Sequence, residues 1–217
     1  MSLNKMLPEY LMNAYQVVPQ MGAVSVVMRH SARYPIESEA DIFTAGLTPE
    51  GRDLASQFGN WLKDQKEIGQ IQSSPIQRCI DTGALIGSQK DNPIDVRTAD
   101  VLSHPNENGE YDRMEEFMDS NSWPERVRDI ASCIVPNGKH RQGLNLYVTH
   151  DTVIVLMAAF WLNMDIRAPQ VWPQFLEPFF VWWQDKNLKA AFRGEVYDIT
   201  ARYAECFGKQ LNTASSN

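Results

Sequence analysis

The chain has 217 residues, of which 43% are hydrophobic and 22% are charged, which is enough for one sizeable α/β domain. Its net charge of −7 argues against a nucleic-acid partner, because nucleic-acid-binding surfaces are basic. The longest apolar run, residues 153–162, is about half the length that a membrane span requires, and the amino-terminal segment lacks the features of a signal peptide. We therefore predict a cytoplasmic protein without a membrane or nucleic-acid partner.

Alternating strands and helices are predicted from the start of the chain. Ala23 to Met28 form a nearly continuous apolar run, which is typical of a strand buried on both faces of a mostly parallel sheet. After a polar loop over residues 31–46, Thr48-Pro49-Glu50 marks a helix start, since a hydroxyl cap, a proline and a carboxylate suit the first turn. Ser74-Pro75 predicts a second helix start with the same cap and proline.

The rest of the chain continues this alternation. The other predicted elements are a helix over 8–18, strands over 71–73, 94–97 and 144–148, helices over 123–135 and 152–162, a hairpin over 175–184 and 188–192, and a helix from 199 to about 211. The stretch over residues 99–122 is polar, acidic and poorly periodic. We predict that it is a loop or a small cap that overhangs a site.

Cationic and titratable side chains follow three of the predicted strands. Arg29 and His30 end the first strand, Arg78 lies in the first helical turn after a second, and His150 and Asp151 follow a third. Because ligand sites of open α/β sheets lie beyond the carboxyl ends of the strands, we expect these residues to meet at one edge. Guanidinium groups suit phosphate oxygens. The pattern therefore predicts an anion pocket that contains two imidazoles.

Four motifs connect this pattern to a known family. They are RHSARYP at 29–35, LTPEG at 47–51, SSPIQRCIDTG at 73–83 and VTHDTVI at 148–154. With these motifs in this order, the sequence resembles the histidine phosphatase superfamily, and within it the acid phosphatase branch. The resemblance implies a three-layer α/β/α sandwich with a mostly parallel, phosphoglycerate mutase-like sheet. It also implies a single domain over 1–217, in which 99–122 forms the small cap.

The resemblance further implies how the pocket works. His30 would attack phosphorus to form a phosphohistidine, and Asp151 would protonate the leaving alkoxide and then activate water. Four residues would hold the phosphate oxygens: Arg29, Arg33, Arg78 and His150. Such a ring of cations is the main stabiliser that phosphoryl transfer needs, and neighbouring arginines should keep the His30 imidazole neutral and nucleophilic. No two histidines have metal-ligand spacing, so we predict neither a metal nor another cofactor.

Several alternatives remain open at this point. The predicted activity is hydrolysis of a small-molecule phosphomonoester, and the alternatives are a phosphoglycerate mutase-like phosphotransferase and a non-catalytic phosphate or phosphoprotein binder. The proton donor could instead be a glutamate of 99–122, Glu107 foremost, and His104 is a second candidate to touch substrate. The family usually has glycine where this chain has Ser31. Serine is strained there if the position needs a positive φ and harmless if it does not.

Overall fold

The computed structural model describes residues 7–38, 40–89, 93–103, 123–138 and 140–207. The strands are β1 (Ala23–Arg29), β2 (Ile68–Ser73), β3 (Val96–Thr98), β4 (Gly143–Thr149), β5 (Pro178–Gln184), β6 (Asn187–Phe192) and β7 (Glu195–Asp198). The helices are α1 (Glu9–Ala14), α2 (Asp41–Thr44), α3 (Pro49–Gln65), α4 (Gln77–Gly87), α5 (Trp123–Ile134), α6 (Asp151–Leu162) and α7 (Thr200–Phe207). Short 3-10 turns lie at Tyr15–Val17, Asp100–Leu102 and Pro169–Val171.

The described strands form one seven-stranded sheet in the order β3-β2-β4-β1-β5-β6-β7. The first four run parallel, and β5, β6 and β7 extend the sheet in antiparallel fashion. Helices α1, α3 and α4 cover one face, and α5, α6 and α7 cover the other. The predicted three-layer α/β/α architecture is confirmed, with a mixed sheet whose parallel half contains the predicted strand ends.

The centre of the sheet is buried on both sides because its strands carry apolar side chains on both faces. In β1, Val24, Val26 and Met28 pack against one helical layer, and Val27 packs against the other. Helix α6 is apolar nearly all round and is buried along most of its length. Each such side chain contributes roughly 1.5–3 kcal/mol when it leaves water. This packing fixes the amino end of α6 at the carboxyl end of β4.

The LTPEG motif joins α3 to the loop that follows β1. The Thr48 hydroxyl caps α3 by accepting a hydrogen bond from the Gly51 amide at 3.0 Å, and the Thr48 amide donates to the Ala32 carbonyl at 3.1 Å. A Cβ on residue 51 would lie 1.9 Å from the same Ala32 oxygen. Only glycine permits this approach, so the motif holds the loop after β1 in place.

Most predicted elements are present, and the differences have local causes. The predicted loop over 31–46 contains the short helix α2, and β7 was not predicted because its four residues carry little apolar periodicity. The 175–184 and 188–192 hairpin is confirmed as β5 and β6. The predicted cap over 99–122 lies outside the described residues except for its first five. Within the described part of the chain, no helix has both the length and the apolarity needed to cross a bilayer.

Candidate active site

Three neighbouring parallel strands end side by side at the same edge of the sheet. In the β1–β4 register Arg29 pairs with Thr149, and in the β2–β4 register Ser73 pairs with Val148. The residues that follow these strands therefore leave the sheet together. The sheet order β2-β4-β1 places the end of β4 between the other two, which is the crevice where open α/β sheets bind ligands.

His30 is the first residue after β1 and is 2% exposed. Its amide donates a hydrogen bond to the Thr149 carbonyl at 2.9 Å. On the ring, Nδ1 lies 2.7 Å from the Ser31 carbonyl oxygen, and Nε2 lies 3.1 Å from the Arg78 Nε. A carbonyl can only accept and a guanidinium can only donate. Nδ1 therefore carries the proton, and the lone pair of Nε2 faces Arg78.

Arg78 connects the three strand ends, although it is only 1% exposed. It lies in the first turn of α4, as predicted. Besides His30, its guanidinium donates to the Ile42 carbonyl through Nη1 at 2.6 Å. Its Nη2 lies 3.3 Å from Nδ1 of His150. The Arg78 guanidinium thus contacts both imidazoles and the α2 segment at the same time.

His150 is fully buried at the residue before α6. Because its Nδ1 accepts from Arg78, its Nε2 carries the proton and donates to the Ser74 hydroxyl at 3.0 Å. The His30 and His150 rings lie 5.6 Å apart between centroids, at 70° to each other. The prediction that Ser74 caps α4 is wrong, since Ile76 occupies the cap position. The Ser74 hydroxyl instead orients His150.

Arg29 and Asp151 face each other across the end of the sheet. Nη2 of Arg29 lies 2.8 Å from Oδ2 of Asp151, and both side chains are about 15% exposed. The other carboxylate oxygen accepts from the Thr152 amide at 2.9 Å. Nε of Arg29 is buried and has no hydrogen-bond partner among the described residues.

Arg33 lies in the loop that follows β1. Its backbone pairs with Leu47, and its Nη1 donates to the Tyr34 carbonyl at 2.8 Å. Its charge nevertheless acts on His30, where it helps to lower the pKa of the imidazole. The other five predicted residues form two sets of side-chain contacts: Arg78 with His30 and His150, and Arg29 with Asp151.

Burial lowers the pKa of His30 well below its ordinary value of 6.5. The Arg78 guanidinium lowers it further, and Arg29 and Arg33 add smaller effects in the same direction. The hydrogen bond to the Ser31 carbonyl opposes them but is weaker than burial and Arg78. The imidazole therefore stays neutral in mildly acidic solution, where a free histidine is charged.

A pH dependence of stability follows from this lowered pKa. Below about pH 6.5 the unfolded chain takes up a proton at residue 30 and the folded chain does not. The free energy of unfolding should therefore fall with decreasing pH, by up to about 1.4 kcal/mol per pH unit from this group, and be unaffected by it above pH 6.5. Urea unfolding of the wild type and His30→Gln at several pH values measures the difference. Identical pH slopes for the two proteins would contradict a buried neutral His30.

Ser31 is buried, and its φ is not positive. The doubt that serine is strained at this position is therefore resolved. Its hydroxyl donates to the Gly51 carbonyl at 2.7 Å, and its amide donates to the Thr82 hydroxyl at 3.1 Å. The serine is thus a second connection between the loop after β1 and α3.

Removing the Ser31 hydroxyl should affect stability more than turnover. We expect Ser31→Ala to lower the free energy of unfolding by about 1 kcal/mol through the lost hydrogen bond, while the phosphomonoester hydrolysis predicted from the sequence is retained. Thermal unfolding and initial rates on the same preparation measure both quantities. A loss of turnover at unchanged stability would show that the hydroxyl acts in the reaction instead.

Sequence reasoning missed three residues that contact the site. Ser74 accepts a hydrogen bond from His150, and Pro173 and Phe175 contact the Arg29 guanidinium. Ser74 directly follows β2, so the strand-end argument that selected Arg78 could have selected it as well. Pro173 and Phe175 precede β5, which runs antiparallel to β1. The segment before β5 therefore reaches the edge where β1 ends, and this direction could not be read from the apolar pattern.

Two alternative site residues, His104 and Glu107, lie outside the described residues. Among the residues that the structure describes, no group of three histidine, cysteine, aspartate or glutamate side chains is arranged to hold a metal ion. The described site residues offer two imidazoles, a carboxylate and three guanidinium groups.

Comparison with solved structures confirms the fold. The chain is similar to YhfR of Bacillus stearothermophilus, with a TM-score of 0.54, 16% identity and coverage of 81% of this chain and 98% of that one. It is similar to a mutant phosphoserine phosphatase of Entamoeba histolytica in complex with phosphoserine (TM-score 0.52, 15% identity, coverage 83% and 98%). The chain is also similar to an Entamoeba histolytica phosphoserine phosphatase bound to 3-phosphoglyceric acid (TM-score 0.52, 16% identity, coverage 74% of this chain and 90% of that one). The predicted phosphoglycerate mutase-like α/β/α fold is thus confirmed.

A family comparison then agrees with the motifs. The model described as histidine phosphatase superfamily (branch 1) matches residues 37–104, a stretch that contains Arg78 and lies between His30 and His150. A search of curated proteins found no significant match. The family match and the fold together confirm the resemblance to the histidine phosphatase superfamily. Assignment to the acid phosphatase branch stays a prediction.

Proposed function

We propose that this chain is a phosphomonoesterase that hydrolyses small phosphomonoesters through a phosphohistidine on His30. The observation that carries the proposal is the state of the His30 ring. Its Nδ1 proton is engaged by the Ser31 carbonyl and its Nε2 lone pair faces the Arg78 guanidinium, so the nucleophilic atom points at a phosphate-binding group. The lowered pKa of His30 keeps that lone pair unprotonated, and the Arg78 Nε–H, which donates to it, would move to a phosphate oxygen before Nε2 reaches phosphorus.

In the first step, Nε2 of His30 forms a bond to phosphorus while the ester P–O bond breaks. Asp151 gives its proton to the departing alkoxide. In the second step, Asp151 takes a proton from water, the water oxygen bonds to phosphorus, and the N–P bond breaks to return neutral His30. The proposal takes Asp151 as the donor because it directly follows His150 and contacts Arg29, which also motivates placement in the acid phosphatase branch.

The phosphate would be held by Arg29, Arg33, Arg78 and His150. Several groups of the chain engage these donors, among them the Asp151 carboxylate and the Pro173 carbonyl on Arg29 and the Ile42 carbonyl on Arg78. Incoming phosphate oxygens would replace them and also engage the unpartnered Nε of Arg29.

The role of Asp151 is tested by leaving groups of different basicity. We expect Asp151→Asn to lower kcat/KM, which reports the step in which the leaving group departs, by roughly a hundredfold for phenyl phosphate, because a poor leaving group needs a proton in the transition state. The loss for p-nitrophenyl phosphate should be clearly smaller, since nitrophenolate departs without protonation. Equal losses for both substrates would contradict Asp151 as the donor and favour a glutamate from 99–122.

Hydrolysis is distinguished from the two alternative functions by the fate of the phosphate. A phosphatase releases inorganic phosphate, whereas a mutase-like phosphotransferase passes it to an acceptor sugar acid faster than to water. A non-catalytic binder would show phosphate affinity without release between pH 4 and 8. Ser31, the residue that departs from the family pattern beside His30, has no positive φ, so its backbone gives no reason to favour the non-catalytic alternative.

A further inference from the structure

The segment that precedes β5, residues 173–177, packs against Arg29. The Pro173 carbonyl accepts from Nη1 of Arg29 at 2.7 Å, and the Arg29 guanidinium carbon lies 4.3 Å from the centre of the Phe175 ring. The backbones are also joined, since Arg29 donates to the Glu177 carbonyl and the Leu176 amide donates to the Arg29 carbonyl at 3.1 Å. The orientation of Arg29 is therefore fixed by contacts with residues 173–177 as well as by the ion pair with Asp151.

This segment is itself held by an ion pair between the buried Glu177 carboxylate and Arg193, whose side chain is one-third exposed. Glu177 is 4% exposed, and its Oε1 lies 2.8 Å from Nε of Arg193 in the turn between β6 and β7. Its Oε2 accepts from the Gln174 amide at 2.6 Å and from Nη2 of Arg193 at 3.3 Å. The same Nη2 donates to the Trp172 carbonyl at 3.0 Å. The pair thus fixes both ends of the turn that carries Pro173 and Phe175.

The backbone inside this turn is strained. Leu176 is fully buried with a φ of 62°, and a branched side chain disfavours this left-handed conformation by about 1–2 kcal/mol. Arg193 has a φ of 55°. Such conformations persist where surrounding contacts determine them, and they cluster at functional sites. Here the determining contacts are those of Glu177 and of the Arg29 backbone.

We infer that Glu177 and Arg193 are positioning residues, which hold the 173–177 turn so that Arg29 keeps Asp151 aligned for proton donation. The inference rests on the proposed phosphatase function. Neither residue contacts the predicted phosphate ligands His30, Arg78 or His150 through any described hydrogen bond. Their influence therefore passes through Arg29, and it should be greatest for the step that needs the Asp151 proton.

The test compares two substrates in one variant. Glu177→Gln keeps the side-chain shape but removes the charge that Arg193 neutralises. We expect kcat/KM, which reports the leaving-group step, to fall by roughly tenfold for phenyl phosphate and several times less for p-nitrophenyl phosphate. Because both rates come from one preparation, their ratio is independent of the folded fraction. Arg193→Lys, which keeps the charge but cannot span Glu177 and Trp172, should show the same split more weakly.

Lys189→Met is the matched control, since it removes the ion pair of Lys189 with Asp198 on the neighbouring strand and should leave the substrate ratio unchanged. The inference is overturned if Glu177→Gln and Arg193→Lys lower both rates equally or leave both unchanged. That failure is separable from failure of the proposed function, because His30→Ala would then still be inactive. If His30→Ala remains active, the proposed function itself is wrong.

Discussion

His30→Ala is expected to lower kcat for p-nitrophenyl phosphate by roughly 10⁴-fold or more, because it removes the attacking atom itself. Alternative nucleophiles nearby are poorly suited to replace it. Burial raises the pKa of the Cys79 thiol to about 12, so it is not a thiolate at working pH. The Ser74 hydroxyl accepts a hydrogen bond from His150 and has no general base in the described contacts.

The matched control for this variant is His140→Ala. His140 precedes β4 and so lies at the opposite edge of the sheet from the site. Its removal should leave kcat unchanged, which separates loss of the nucleophile from a general effect of removing an imidazole. Release of phosphate by His30→Ala at a rate near that of the wild type would exclude His30 as the nucleophile.

Arg78→Met is expected to lower kcat by roughly 10³-fold, the scale seen when a preorganised donor to a developing anion is lost. The substitution removes hydrogen bonds to His30, to His150 and to the Ile42 carbonyl. It also removes one of the main causes of the lowered pKa of His30. The acid limb of the residual activity should therefore move to higher pH, because protonation of His30 then competes with its nucleophilic form.

Two companion variants sharpen this prediction. Arg78→Lys keeps the positive charge, but a single ammonium cannot reproduce three diverging contacts, so we expect an activity between those of Arg78→Met and the wild type. Arg52→Met is the control, because Arg52 is half exposed and pairs with Asp81 outside the site; its activity should be unchanged. Wild-type turnover in Arg78→Met would contradict a phosphate-holding role for this residue.

Much of the site could be predicted because parallel strands end at a common edge. Arg29, His30, His150 and Asp151 each adjoin a strand whose apolar run is visible in the sequence, and Arg78 follows a helix-start signal. Where these strands lie in the sheet depends on contacts between distant segments. The position of β4 between β2 and β1, which brings the two imidazoles together, could not be derived from local patterns.

The contacts among the site residues were less predictable than their presence. The sequence assigned Arg29 to phosphate and Asp151 to proton transfer, but their direct ion pair depends on side-chain geometry. The roles of Phe175 and Glu177 depend on the antiparallel direction of β5, since their apolar and acidic side chains carry no strand-end signal. The Ser74 hydroxyl could cap a helix or accept a hydrogen bond from a histidine. Only the position of His150 in the fold decides between these two roles.

The most direct test of the central claim is detection of the covalent intermediate. Rapid quenching in alkali during turnover of p-nitrophenyl phosphate, followed by proteolysis and mass spectrometry, should show acid-labile phosphate on His30. The phosphoenzyme should accumulate toward about one phosphate per chain in Asp151→Asn if that substitution slows activation of water. Phosphate on another residue, or active turnover with no phosphoenzyme in either protein, would contradict the mechanism.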